Sequence, residues 1–303
     1  DTLPTEDALL TATATMLTEL SALRRAEELG PYTGPAILAP RAAGVFFHEV
    51  LGHRLEAHRQ DATDEGQTFA DHLGKAVIPP FLSVLDDPTR THAGSTPLNG
   101  AYDVDDEGVR SQRVTLVDKG TLRTFLLGRR PAPGFDTSNG HGRAAGVERP
   151  TARMGNLIVE AHRTVTDKAL TKKLLKEIRR QGKPFGLIIR DLAGGQTNTS
   201  SYGYQAFKGE ARMVYKIDAK TGRETLVRGV DLVGTPLATL SKIIAAGRTI
   251  DVFNGYCGAE SGMVPVSTVA PALLFSEVEL QRTARARGQA PLLKAPAPYQ
   301  EPP

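Results

Sequence analysis

The spacing of apolar side chains in the first part of the chain predicts two helices joined by a short extended piece. Residues 5–29 repeat apolar positions at helical intervals, Thr5 is placed as the N-cap, and Gly30 ends the run. The apolar positions of this run are Leu9, Leu10, Met16, Leu17, Leu20 and Leu23. After an extended stretch at 35–40, a second helix is predicted to start near Gly44 and to continue through VFFHEVLGHRLEAHR.

Strand-like runs dominate most of the remaining chain. Two β-rich runs flank the letters DKG at 118–120, and two more, ARMVYKID and RETLVRGVDL, flank AKTG at 219–222. Each pair predicts an antiparallel hairpin, and FGLIIRDL is a further predicted strand. Because turns this short cannot hold a parallel crossover, the pattern predicts an α+β fold with long antiparallel β-sheets and a few packed helices.

Two later segments are predicted to be helices that pack against these strands. Residues 166–181 repeat apolar positions on one face, and Gly182 follows the last turn. The positions on that face are Leu170, Leu174, Leu175 and Ile178. A shorter helix is predicted to start at Thr235-Pro236 and to end at Gly247.

Composition and charge narrow the class of protein. Hydrophobic residues make up 40% and charged residues 23%, values typical of a soluble folded domain. The net charge of +3 comes from basic residues interleaved with acids, so no nucleic acid partner is predicted. The chain has 1 cysteine, which excludes an internal disulfide, and no apolar run approaches the length of about 20 residues that spans a bilayer. We therefore expect a cytoplasmic protein that is not inserted in a membrane.

The second predicted helix carries the residues with the clearest chemistry. His48 and His53 place two imidazoles five positions apart, and Glu49 adds a carboxylate next to the first. Metallopeptidases need two imidazoles on a divalent ion and a nearby carboxylate that moves a proton from the attacking water to the leaving amine. Five positions turn a regular helix by about 140°, so we expect it to loosen into a π-type turn or to end near Gly52. His53 could then swing back toward the ion.

A zinc site of this kind needs a third protein ligand and an open position. Cys257 is the best candidate, and His58, five positions beyond His53, competes with it. Without a metal, the imidazoles would be ordinary surface or core residues, and the cysteine a small buried side chain. The spacing alone does not decide between these interpretations.

Two further groups are candidates for supporting roles. His141, and the backbone of the Gly-rich loop at 194–195, are alternatives for a donor to the oxyanion of the tetrahedral intermediate. Three loop acids could suggest a second metal, but we expect them to be solvated side chains; they are Asp105, Asp106 and Glu107.

Several stretches resemble the TldD/PmbA family in the same order along the chain. GVFFHEVLGHRLEAH is similar to the family's metal-binding helix, and NGYCGAESGMVPVSTVAPALLFSEVEL is similar to its cysteine segment. Between them lie DDPT, DDEGVRSQRVTLVDKGTLRTFLL, SNGHGR, ARMGNLIVE and AGGQTNTSSYGY. The likeness covers residues 33–280, and His58 stands where many members have an acid.

This resemblance implies a zinc peptidase of the HExxxH type. It assigns His48, His53 and Cys257 as the zinc ligands and Glu49 as the catalytic acid and base. It implies the TldD-like, metal-bearing subunit, which pairs in a homodimer or in a heterodimer with a TldE/PmbA-like subunit. The implied substrates are unfolded or flexible peptides, including leader peptides removed during peptide maturation, bound as an added strand. The alternative is a non-catalytic peptide-binding or scaffold subunit of such a complex.

The resemblance also divides the chain into three parts. Residues 1–32 are predicted to be a helical segment that ends a preceding domain. Residues 33–281 form the metallopeptidase C-terminal domain, with the metal-binding helix near the N-terminal third. Residues 282–303 form a tail rich in Pro, Arg and Ala that we expect to be disordered or extended. Because the sequence does not begin with Met, we expect it to start inside a longer precursor, or to have been shortened by processing or by design.

Overall fold

Strands greatly outnumber helices in this computed structural model, which describes residues 3–202 and 205–283. The helices are α1 (Glu6–Arg25), α2 (Pro40–Val50), α3 (Asp167–Arg180) and α4 (Pro236–Leu240). The strands are β1 (Glu27–Glu28), β2 (Tyr32–Leu38), β3 (Leu82–Asp86), β4 (His92–Ala93), β5 (Thr96–Pro97), β6 (Val114–Asp118), β7 (Thr121–Leu122), β8 (Gly142–Arg143), β9 (Thr151–Ala152), β10 (Asn156–Ala161), β11 (Thr164–Val165), β12 (Phe185–Thr197), β13 (Phe207–Asp218), β14 (Glu224–Arg228), β15 (Val230–Gly234), β16 (Ile243–Ala259) and β17 (Gly262–Arg282).

One sheet of 13 described strands forms the body of the molecule. Its centre is β17, which pairs with β2, β10, β15 and β16, and the hairpin of β16 and β17 is its longest antiparallel pair. Most pairs are antiparallel, which confirms the predicted α+β class. Four described pairs are parallel and were not foreseen: β1 with β14, β2 with β12, β10 with β17, and β11 with β16. Each joins strands that are distant in sequence, so short turns gave no sign of them.

Helices cover both faces of this sheet. Successive side chains of β2 point to opposite faces, so Leu38 packs in the main core with α2, while Ile37 packs with Leu174 of α3. On α2, Phe46 and Phe47 are fully buried, and the ring of Phe46 packs edge-on against neighbouring aromatic rings. Each buried aromatic side chain contributes about 1.5 to 3 kcal/mol through the hydrophobic effect. The helix that carries His48 is therefore firmly held.

The first helix begins as predicted but ends early. The Thr5 hydroxyl accepts a hydrogen bond from the Ala8 amide and caps it. The predicted end near Gly30 was wrong, because α1 stops at Arg25 and the next residues pair as β1. No residue of α1 is buried.

The limits of two other predicted helices also needed correction. The second helix starts at Pro40 rather than near Gly44. Proline is well tolerated in the first turn of a helix, where its missing N–H is not needed. The short helix that follows Thr235 ends at Leu240 rather than at Gly247, because the chain from Ile243 onward pairs with β17.

The other sequence predictions fit more closely. The Thr166 hydroxyl caps α3, Gly182 follows it with φ +64°, and the buried face includes Leu170, Leu174 and Ile178. Both predicted hairpins form, although RETLVRGVDL is split into β14 and β15. No helix in the described ranges is long and apolar enough to cross a bilayer. Beyond Thr283 the predicted tail lies outside the described residues, and the division into three parts stays a prediction.

Candidate metal centre

The end of α2 brings two imidazoles together. His48 lies in its last turn, and His53 lies in the 3-10 turn Gly52–Leu55 that follows. A regular helix would point the two side chains about 140° apart. Because α2 stops at Val50, their ring centroids are 4.9 Å apart with an interplanar angle of 87°. The sequence predicted either a π-type turn or an end of the helix near Gly52, and the structure shows that the helix ends.

Cys257 joins these rings from the far end of β16. Its Sγ lies 3.3 Å from His53 Nε2, and all three side chains are buried. One potential ligand atom from each of His48, His53 and Cys257 lies within 4.8 Å of the others. No other group of three such side chains is found within residues 3–202 and 205–283. The three predicted ligands therefore meet at one place.

The donors of this cluster are suited to zinc. Two imidazole nitrogens and one thiolate, with a fourth position left for water, form a known type of catalytic zinc site. At a tetrahedral angle, a zinc-bound nitrogen and sulfur lie roughly 3.5 Å apart, close to the 3.3 Å between Cys257 Sγ and His53 Nε2. His48 Nδ1 is buried and has no hydrogen-bond partner among the described residues. A buried nitrogen without a partner is costly unless something binds the ring.

Glu56, which the sequence analysis missed, orients His53 from behind. Its fully buried carboxylate lies 3.3 Å from His53 Nδ1, which leaves Nε2 facing Cys257. Arg59 donates from Nε to the same carboxylate at 2.8 Å. A carboxylate behind a metal-binding imidazole is the usual outer partner in zinc sites. Its position three residues after His53 was the available signal, because that spacing puts two side chains on one side of a helical turn.

Arg153 connects the two parts of the chain that form the cluster. It is fully buried, and its Nη2 donates to the Cys257 carbonyl at 2.6 Å. Its Nε lies 3.5 Å from Glu56 Oε1, and its Nη1 donates to Ser261 Oγ at 2.8 Å. The turn with His53 and the strand with Cys257 are thus tied to the same guanidinium group.

The charges of the cluster shift the protonation of its members. Burial raises the pKa of the Glu49 carboxyl, and the nearby His48 and His53 offset only part of that shift. Burial would also raise the pKa of the Cys257 thiol, but His48 and His53 outweigh it and hold this pKa well below its usual value. For His53, burial favours the neutral ring, yet Glu56 and Cys257 raise its pKa to about 10. The thiolate is the form that binds metals, and a cation here would replace the His53 proton.

Glu49 points into a space that a glycine keeps open. A Cβ on Gly195 would overlap the Glu49 side chain. Arg54 Nη1 donates to the Glu49 carbonyl at 2.8 Å and to Thr197 Oγ1 at 2.5 Å, so it fixes the end of α2 against β12. The predicted Gly-rich loop at 194–195 was wrong, because both glycines lie within β12.

These groups line an open cleft of about 370 Å³, here called the metal cleft. The three candidate ligands and Glu49 lie in it, with Gly195–Thr197 of β12 on one side and Tyr256–Glu260 on the other. The Tyr256 side chain is exposed to solvent. This arrangement can hold a cation beside a proton-accepting carboxylate where an extended chain has access.

Two other candidate histidines lie outside the cluster. His58 contacts the Glu260 carboxylate through Nε2 and does not join the three donors. His141 is fully buried, with Nε2 3.2 Å from Asp86 Oδ1 and Nδ1 3.0 Å from the Asn139 carbonyl. Of the two candidates for an oxyanion donor, His141 does not fit, because both ring nitrogens face protein groups outside the metal cleft.

The three loop acids also have structural partners. Asp105 is buried, and its carboxylate accepts hydrogen bonds from the backbone amides of Glu107, Val109 and Gly142. Asp106 accepts from the Ala144 amide, and Glu107 accepts from the Arg129 amide. The expectation of solvated side chains was wrong for Asp105, which is buried, whereas Asp106 is exposed and Glu107 is partly exposed. They form no metal group among the described residues.

Comparison with known proteins now gives the family of this chain. A model of the PmbA/TldA metallopeptidase C-terminal domain matches residues 31–282. The chain belongs to the PmbA/TldD family of metallopeptidases. The resemblance found in the sequence is thereby confirmed.

Individual relatives agree with this assignment. A metalloprotease of Archaeoglobus fulgidus is 32% identical over 250 residues, which cover 81% of this chain and 53% of the relative. A zinc metalloprotease TldD homolog of Saccharolobus solfataricus is 25% identical over 248 residues, which cover 81% and 51%. TldE from Thermococcus kodakarensis has the same fold, with a TM-score of 0.63 at 15% identity over 88% of this chain and 54% of that one. The PmbA/TldD chain described here spans about half the length of the curated relatives it matches.

Proposed function

We propose that this chain is the metal-bearing part of a zinc-dependent peptidase that cuts unfolded or flexible peptides. His48, His53 and Cys257 hold the zinc, and Glu49 is the catalytic acid and base. The observation that carries the proposal is the meeting of these three donors beside Glu49 in an open cleft. The zinc named for the Saccharolobus solfataricus relative supports the choice of metal.

Zinc at this site supplies a Lewis acid beside the carbonyl of the peptide bond. The Glu49 carboxylate accepts a proton from the attacking water and delivers it to the nitrogen of the leaving amine. Its raised pKa makes it a better proton acceptor near neutral pH than an exposed glutamate. The buried Glu56 carboxylate keeps the His53 ring oriented while the charge in the cleft changes.

The shape of the cleft supports an extended substrate. Its sides are the ends of β12 and β16, and Gly195 leaves room next to Glu49. A folded domain would have to unfold locally to place a peptide bond between the two strands, whereas a flexible chain can enter directly. We propose that such peptides include leader peptides removed during peptide maturation, and that the protein acts in the cytoplasm.

The same proposal includes a partner of related fold. The likeness to TldE supports assembly as a dimer, either with a TldE/PmbA-like subunit or with a second copy of this chain. The alternative function is that of a peptide-binding or scaffold subunit, which would have the same fold but would not hydrolyse peptides.

Metal analysis together with a hydrolysis assay tests the proposal. We expect one zinc per purified chain by mass spectrometry of metals. We expect cleavage of a fluorogenic flexible peptide that stops with a chelator and returns when zinc is added. A chain that holds zinc and binds the peptide without cutting it supports the scaffold alternative. A chain with no affinity for zinc contradicts both the metal site and the peptidase.

A further inference from the structure

A second cavity lies beside the metal cleft. It has a volume of about 680 Å³, and its lining includes Arg129, Arg130, Arg149, His58 and Glu107; we call it the arginine cavity. Its volume lies within the roughly 300 to 1,000 Å³ typical of ligand pockets. None of the chemistry assigned to the metal cleft uses it.

The two cavities share a boundary. His58 lines the arginine cavity, and its Nε2 contacts the carboxylate of Glu260, which lines the metal cleft. Arg59 also holds Glu260, at 3.0 Å, so this boundary is fixed by two contacts. The arginine cavity therefore adjoins the metal cleft on its Glu260 side.

The arginine cavity has more positive than negative charge. Its one carboxylate, on Glu107, accepts a hydrogen bond from the Arg129 amide at 2.5 Å. Arg130 lies 3.6 Å from Asp61, in a partly exposed pair of little strength. The side chains of Arg129 and Arg149 make no ion pair or hydrogen bond with any other residue of the described ranges. Two guanidinium groups are therefore free to bind a ligand.

We propose that the arginine cavity binds a carboxylate of the peptide that is cut at the metal cleft. This inference rests on the proposed function and adds a substrate class to it: peptides with an anionic group on one side of the cut bond. Guanidinium groups present paired donors that match the two oxygens of a carboxylate. Pro131 and Pro150 in the lining offer apolar surface to the aliphatic part of the same residue.

The carboxylate has two possible sources, the C-terminus of the peptide or an Asp or Glu side chain. Both offer the same chemistry to Arg129 and Arg149. A nucleic acid fits less well, because Glu107 would repel a run of phosphates, whereas a single carboxylate can be held away from it.

A binding experiment with matched peptides tests the proposal. The full chain carrying Glu49→Gln prevents turnover, and fluorescence anisotropy at low salt gives the Kd of labelled flexible peptides. One pair of peptides differs only by a C-terminal acid or amide, and a second pair only by an internal Asp or Asn. We expect the anionic member of one pair to bind about tenfold more tightly, the order of one charge-assisted contact. The pair that shows the preference identifies the source.

Two double variants test which arginines cause the preference for the anionic peptide. Arg129→Gln with Arg149→Gln should remove it, while Arg24→Gln with Arg248→Gln, which takes the same charge from exposed sites elsewhere, should leave it intact. Equal binding within both pairs, no binding of any peptide, or a preference that survives the first double variant would overturn the proposal. So would tighter binding of a single-stranded oligonucleotide that depends on Arg129 and Arg149.

The parent chain separates this inference from the function on which it rests. Chelator-sensitive cleavage of the neutral peptides, without any preference for the anionic ones, would contradict only the proposed role of the arginine cavity. A preference for binding the anionic peptides, without cleavage of any peptide, would contradict only the proposed peptidase activity. Circular dichroism and zinc content of each variant show whether a change comes from altered folding.

Discussion

Two buried polar clusters of this protein contain a histidine and an acidic partner, yet they differ in what is left unpaired. In the Asp86 cluster, the carboxylate accepts from the Gly155 and Asn156 amides, and His141 has protein groups at both ring nitrogens. In the metal cleft, by contrast, a buried nitrogen of His48 has no hydrogen-bond partner among the described residues. Both ring nitrogens of the histidine in the first cluster are thus paired with protein groups, and one ring nitrogen in the second is not.

The difference shows how buried polar residues separate into structural and functional groups. A buried donor or acceptor that is saturated by backbone groups stabilises the loops around it. One that lacks a partner and lies in an open cleft costs free energy unless a ligand completes it. Burial alone would not distinguish His141 from His48, since both are buried. The two residues differ in that both ring nitrogens of His141 have protein partners, whereas Nδ1 of His48 has none among the described residues.

The largest expected effect is on turnover, in the Glu49→Gln variant. We expect the variant to keep its zinc and to lose about 100- to 10,000-fold in kcat, because the amide cannot accept a proton. Zinc content and hydrolysis of a flexible peptide are measured on the same preparation. Turnover at the parent rate would show that Glu49 has another role.

The next effect is on metal retention, in Cys257→Ala. Removing a direct ligand should cost more than the 10- to 100-fold in zinc affinity that is typical of outer partners. Competition with a chromogenic chelator measures the affinity. His58→Ala is the matched control and should bind zinc like the parent chain, because its ring contacts Glu260 instead. Reversed results for these two variants would move the third ligand to His58.

A smaller loss of affinity is expected in Glu56→Gln. The amide still fills the buried space but binds the His53 Nδ1–H less strongly, and it leaves Arg59 and Arg153 without their shared negative charge. Zinc affinity should fall about 10- to 100-fold. The same competition assay measures it, and a urea unfolding curve shows how much stability is lost. Unchanged zinc affinity would mean that Glu56 only supports the fold.

The smallest effect on zinc affinity is expected from Asp86→Asn, in the Asp86 cluster. The amide group would point a donor at backbone donors, so we expect a loss of about 1 to 3 kcal/mol in the free energy of unfolding. Zinc per folded chain should not change. Urea denaturation measures the change in stability, and metal analysis measures the zinc content. A clear loss of zinc affinity would show that the Asp86 cluster also supports the metal site.

The fold class and the residues of the candidate site were predictable from the sequence, but the contacts that support those residues were not. Hairpins and α3 follow from local turn residues, caps and apolar spacing, so they were predictable. The parallel pairs depend on contacts between distant segments, which local patterns do not contain. The hairpin of β16 and β17 is local, but it was missed because its first residues were assigned to the short helix after Thr235. The end of α2 at Val50 was foreseen only as one of two alternatives.

Roles and partners in the candidate site were harder to predict. His48, Glu49 and His53 are close in sequence, but Cys257 is about two hundred positions away. Cys257 was a candidate because it is the one cysteine of the chain, and only the family resemblance decided between it and His58. Arg153 gave no signal, because a buried charge pair looks like surface charge until the fold is known, and Glu56 gave only its position three residues after His53. His141 stood in a Gly-rich stretch typical of a loop, and only its pairing with Asp86 shows that it is structural.

The contacts of Arg153 have a consequence for how the protein depends on its ion. Because one guanidinium joins Glu56, behind His53, to the Cys257 carbonyl, the framework around the ion is preorganised by protein groups alone. Small zinc domains unfold when their metal is removed. This chain, with its large sheet core, should instead remain folded without an ion and take it up again. Under the proposed function, metal supply rather than folding would then set how much of the chain is active.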